Sequence, residues 1–252
     1  MDTETSLVQD ASAGRLTEER RERVRKRVVT EMIPWWYSPW GHLAATTGTG
    51  VVTLIVSVHM LHAVRWTDLL VVPLVSLFSN FFEWHVHKHT LHKRRWPFGE
   101  IYEKHTPMHH MMYVEDDMAL RSTKEFRLVL IPALGVIGIV LTGAPVAWVV
   151  GKLWSANAGW LFLVTSSLFM VSYELLHLSY HAPKDTFIGR LRFIAVLRAH
   201  HARHHDPRLM QKWNFNVTIP LFDWIMGTTA PKVPAKMAVI EERRGEPSFH
   251  AD

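Results

Sequence analysis

The chain has 252 residues, 48% of them hydrophobic, no cysteine, and a formal net charge of +5. That length and apolar content could build one large soluble domain or two small ones, so bulk composition excludes little. The missing cysteine excludes more: thiolate zinc sites, cysteine-ligated iron–sulfur clusters, disulfides and thiol nucleophiles all fall away, and any metal must be held by nitrogen and oxygen.

Residues 1–40 read as a basic, cytoplasmic N-terminal segment. Within it "RLTEERRERVRKRVV" (15–29) has a helical composition with alternating charge, as expected of a surface-lying or frayed helix or of a solvated charge-rich tail. No cleavable signal peptide is expected, because no short apolar core follows a basic start. "PWWYSPW" (34–40) then gathers four aromatics and two prolines, a composition suited to the headgroup layer and to entry into a bilayer.

Four apolar stretches follow, at about 42–64, from 69 into the first histidine-rich stretch, 128–150 and 160–180. Each is near the ~20 residues a helix needs to cross ~30 Å of hydrocarbon. Pro132, Gly143 and Pro145 could kink the third, but splitting it would leave pieces too short to cross. The expected fold is therefore all-α, a polytopic membrane protein with four transmembrane helices in two hairpins and a cytoplasmic histidine-rich helical cap. Its membrane-embedded unit is expected over 41–230, with a polar C-terminal tail at 231–252.

Residues 88–127 carry eight Lys or Arg, whereas the two short connections carry only Arg65 and Lys152. The positive-inside rule then puts both termini, the long middle loop and the histidines on the cytoplasmic side. The basic residues adjoin apolar spans, so anionic lipid headgroups explain them and no nucleic-acid partner is expected.

Thirteen of the 17 histidines lie in two stretches, 85–110 and 177–205. Each half of the chain repeats one plan: an apolar helix ends in spaced histidines, and a later segment delivers another histidine followed by a pair. The first half has "HVHKHTLH" and "HTPMHH"; the second has "HLSYH" and "HHARHH". Residues three or four apart share a helical face, so His177 with His181, His105 with His109, and His201 with His204 and His205 can each point one way. Ten or so imidazoles exceed the needs of one ion, and imidazole suits Fe, Zn, Cu or Ni. His42, His59, His62 and His250 stand apart and read as packing or surface residues.

The blocks "EWHVHKHTLH", "HTPMHH", "YELLHLSYH", "HHARHH" and "NFNVTIPLFDWIMGT" (214–228) together resemble the fatty acid hydroxylase superfamily, integral-membrane histidine-rich oxygenases that include lipid hydroxylases and sterol desaturases. The resemblance covers about residues 70–230. It implies metal ligands at His87, His92, His105, His109, His110, His177, His181, His201, His204 and His205, holding two iron ions that use O2 and two electrons to attack an unactivated C–H bond. "HTPMHH" departs from many members by having three residues, rather than two, between its first His and the pair. His200 is an alternative to His201, and Asn216 stands where a small residue is common. Glu83 and Glu174 lie one helical turn before His87 and His177, where each could accept the outer N–H of a metal-bound imidazole. Asp223 could either close the cap or act directly.

The resemblance further implies a membrane lipid substrate. Hydroxylation of an acyl or sphingoid-like chain is the preferred reading, with sterol or carotenoid oxidation or desaturation as the alternative. No G-x-G-x-x-G fingerprint is present and no haem or flavin domain fits, so electrons are expected from a separate donor protein. A histidine-rich metal-binding or transport protein is a further alternative, although transporters place polar ligands at mid-membrane and these histidines gather at one end of the spans.

Within "EWHVHKHTLH" the residues leave one question open. An ideal α-helix aligns His85, His89 and His92 and turns His87 away, whereas the family pattern selects His87 and His92, about 140° apart on such a helix. Unwinding near Thr90, or service to different metals, would reconcile the two.

Overall fold

A computed structural model describes residues 17–231, and the expectations for 1–16, for His250 and for the tail beyond 231 lie outside the described residues. Among these the secondary structure is helical, with a single isolated bridge between Val114 and Asp117. We number the principal helices α1 (Glu18–Arg27), α2 (Pro39–His59), α3 (Val71–Val86), α4 (Ala133–Leu153), α5 (Ala156–Tyr180), α6 (Arg192–His204) and α7 (Leu221–Ile225).

Four helices are long and apolar enough to cross a membrane: α2, the continuous run Asp68–Leu91 that contains α3, α4 and α5. Their outward faces expose large apolar side chains such as Val52, Leu74 and Leu141, as lipid-facing helices do. The third span begins later than its hydropathy suggests. Phe126–Val129 forms a separate turn, and Pro132, which cannot donate a helical N–H, stands at the N-cap of α4 rather than kinking it. The first span closes sooner, with α2 ending at His59.

α5 is the hub of the bundle and packs against α2, α3 and α4. Small residues permit the close approach: a Cβ on Gly159 would lie 2.5 Å from the Ala147 carbonyl, and one on Gly50 2.5 Å from Val171. At the start of α5 the Ser155 hydroxyl caps the helix by accepting from Ala158 N–H (3.0 Å) and donates to the buried Asp68 carboxylate (2.7 Å). Asp68 also holds Arg65, so the connection after α2 is fastened to two spans at one end of the bundle.

The histidines occupy the opposite end. There α6, the segment 104–120 and the loop leading to α7 close over the last turns of α3 and α5. α1 is not a solvated helix: Val28 is buried with Met112, Tyr113 and Met118, Val24 packs against the same cluster, and Arg25 is 2% exposed. This helix is built into the wall of the histidine end.

Candidate metal centre

Two widened helical turns create the first half of the site. After α3 the backbone passes into a π turn, His87–Leu91, and the His92 N–H bonds the His87 carbonyl (3.2 Å), five residues back. A five-residue period brings side chains five apart onto one face. His87 and His92 accordingly stack with ring centroids 5.1 Å apart, inside one histidine group, with the departure from α geometry running through Thr90. A second π turn, Lys104–His109, contains Pro107 and ends with His110 N–H on the His105 carbonyl. Here it absorbs the extra residue of "HTPMHH", setting the His105 and His110 rings 4.8 Å apart.

Nine of the ten expected ligands fall into two groups whose nitrogens lie within 4.8 Å of one another and could hold a metal ion: His87, His92, His105, His110 and His204, and then His109, His177, His181 and His201. All nine come from the two π turns and the residues that directly follow them, and from the ends of α5 and α6. The tenth, His205, lies between the groups, stacked on His110 with ring centroids 4.2 Å apart and edge-on to His109 at 4.8 Å. His200 belongs to neither, because one position on α6 turns it outward to the Asp223 carboxylate (3.0 Å). His85 and His89 also stand outside, their rings packed against each other and against Phe81 and Trp84 in tilted and edge-on contacts. His59 and His62 are exposed, and His42 bridges Tyr37 and the Ile131 carbonyl.

The outer nitrogens explain which way these rings present their lone pairs. Nδ1 of His109, His181, His204 and His205 meets the carbonyls of Leu128 (3.0 Å), Met118 (2.8 Å), Trp213 (2.8 Å) and Tyr113 (2.7 Å), and Nδ1 of His87 meets that of Phe215. A carbonyl can only accept, so each Nδ1 carries the proton and each Nε2 turns a lone pair inward. His92 follows by one more step. Thr106 spends its hydroxyl proton on the Leu91 carbonyl (2.7 Å), so at 3.2 Å its oxygen accepts from His92 Nδ1.

The consequence is that Nε2 of His92 and Nε2 of His204, both lone-pair acceptors, stand 2.9 Å apart. Two facing lone pairs repel at that distance unless a proton or a metal cation is shared between them. A proton is disfavoured: burial first, then neighbouring imidazoles, holds His92 and His204 well below the usual histidine range. In the second group Nε2 of His109 and of His181 are buried with no hydrogen-bond partner among the described residues. A buried acceptor without a partner is costly, and a bound cation satisfies it. The donor set therefore fits a metal held by neutral imidazoles.

The expected carboxylates do something else. Glu83 accepts from Val217 N–H, from Thr218 N–H (2.9 Å) and from the Thr218 hydroxyl (2.5 Å), with Asn216 at 3.3 Å, so it grips the loop before α7 rather than a histidine. Glu174 accepts from Ile131 N–H (3.1 Å), where the chain enters α4. Five of the ten imidazoles give their Nδ1–H to backbone carbonyls instead, for which sequence offers no signal because every residue has one. Asp223 closes the same loop, accepting from Phe215 N–H (2.9 Å), Asn216 N–H (2.8 Å) and the Thr228 hydroxyl (2.7 Å). Asn216 completes the suture by donating to the Asn80 carbonyl (3.0 Å), a bond a small residue could not make.

Comparison with known proteins agrees with this geometry. No curated protein matches the chain in sequence. The structure is similar in fold to the hydroxylase domain visible in full-length Scs7p, with a TM-score of 0.53 and 19% identity over 78% of this chain and 69% of that one. The family model for fatty acid hydroxylases matches residues 72–228, an interval that contains both histidine groups, and the chain belongs to the fatty acid hydroxylase family.

Proposed function

We propose that the protein is a membrane-bound di-iron oxygenase that hydroxylates a lipid acyl or sphingoid-like chain, using O2 and electrons from a separate donor protein. The observation that carries this reading is the inward set of Nε2 lone pairs, above all the 2.9 Å approach of His92 to His204. In this reading His87, His92, His105, His110 and His204 hold one iron, His109, His177, His181 and His201 hold the other, and His205 stands between them. Iron bound there would supply the O2 activation and C–H attack.

The protein's own contribution is orientation and exclusion of water. Carbonyls of five residues fix the tautomers, and complete burial of His109, His181, His201, His204 and His205 keeps bulk water from the site. The four spans, read as two hairpins in a unit over 41–230, let an acyl chain approach from the bilayer. The cluster of Lys and Arg at 88–127 supports a cytoplasmic position for the histidine end. Exposed Lys93, Arg94 and Arg95 beside it offer charge complementarity to an acidic electron donor.

Lipid profiling of a strain lacking the protein tests the substrate. Loss of one hydroxylated lipid supports the proposal, a missing double bond would reassign the chain to desaturation, and an unchanged profile would contradict both.

A further inference from the structure

The helix α1 lies outside the residues matched by the family model, yet it packs on the site's supporting segment, and its buried Arg25 donates hydrogen bonds into that segment. Arg25 Nη2 donates to the Met112 carbonyl (2.7 Å), and Nη1 donates to the Ala119 carbonyl (3.1 Å) and to Glu125 Oε2 (3.3 Å). Glu125, 1% exposed, also accepts from the Tyr113 hydroxyl (2.8 Å) and from the N–H groups of Arg121 (3.1 Å) and Ser122 (3.0 Å). One guanidinium thus pins both ends of the stretch 112–119, a task its rigid fork of donors suits and an ammonium does not.

That stretch supplies the carbonyls that orient two imidazoles, Tyr113 to His205 and Met118 to His181. It is further tied to the second group by Leu120 N–H on the His181 carbonyl (2.9 Å) and by the Tyr113 ring, 4.5 Å from that of His181. We infer that Arg25 is a positioning residue for the metal centre: through residues 112–119 it sets the orientation of His181 and His205, and α1 is thereby an integral part of the site. The inference rests on the metal-centre reading above and extends it to a segment outside the family match.

The test is a Co2+ titration of the purified full-length chain in detergent, read by the ligand-field absorption of bound cobalt, for wild type, Arg25→Met, Arg25→Lys and the exposed control Arg27→Met. Arg25→Met should bind one ion as wild type does and the other about 10- to 100-fold more weakly, the usual cost of losing a partner that orients a ligand. Arg25→Lys should recover part of the loss, and Arg27→Met should match wild type. Helix content by circular dichroism checks folding. If Arg25→Met does not fold, the charge-neutral double variant R25M/E125Q, which leaves no buried ion unpaired, takes its place with the same expectation. Two unchanged affinities, or equal loss of both, would overturn the inference while leaving the metal centre standing. Wild type that binds no cobalt would overturn the metal-centre reading itself.

Discussion

His109 and His200 show how little separates an imidazole turned into the histidine groups from one turned away. Both are histidines beside another histidine, but His109 Nε2 is buried without a partner among the described residues while His200 Nε2 meets a carboxylate. His109→Ala should therefore abolish activity and lower bound metal from two ions to about one, whereas His59→Ala, at an exposed position, should leave both unchanged; metal analysis beside a turnover assay checks the pair. Protons compete for the same nitrogens. Burial holds His92, His105, His109, His110, His181, His201, His204 and His205 well below 6.5 in the folded chain, while unfolding returns them to about 6.5. As pH falls through about 6.5 the unfolded chain takes up protons that the folded chain refuses, so stability is lost toward acid. Metal-free protein should melt at a lower temperature at pH 5.5 than at pH 7.5, and an equal or higher value at pH 5.5 would count against buried neutral imidazoles.

Among the elements, the spans were legible in the sequence because hydropathy over some 20 residues needs no tertiary information. Their ends were less so: 128–130 is apolar enough to extend a span, yet Pro132 fixes where α4 starts. The π turns were legible only as a conflict: ideal α geometry and the family pattern disagree here, and unwinding near Thr90 is one way to reconcile them. An α-helical reading of "EWHVHKHTLH" aligns His85, His89 and His92 and turns His87 away, and only the widened turn brings His87 and His92 onto one face. The same loop that covers His87 depends on Glu83, whose loss would leave the N–H groups of Val217 and Thr218 unpaired at roughly 1–3 kcal/mol each. Glu83→Ala should lower the melting temperature and weaken metal binding in the first group more than in the second. Uniform weakening would mean that the loop serves the whole cap and not His87.

For the whole molecule, the residues of the two histidine groups were readable because they recur as local motifs, whereas the framework holding them was not. Arg25 meets Met112 across 87 positions of sequence, so a run of alternating charge gave no hint of a buried clamp. The orientation of the bundle can be tested without removing native thiols, because the chain has no cysteine. With His62→Cys and Lys93→Cys at opposite ends of the spans, a membrane-impermeant thiol reagent should label position 62 in intact cells and position 93 only after lysis. The reverse pattern would place the histidine end outside.

The central claim is that the two groups of buried imidazoles are metal sites. Iron content of the purified, folded chain tests it most directly: two iron ions per chain are predicted, and a chain with full helical content that takes up no metal when offered ferrous iron under anaerobic conditions would contradict it.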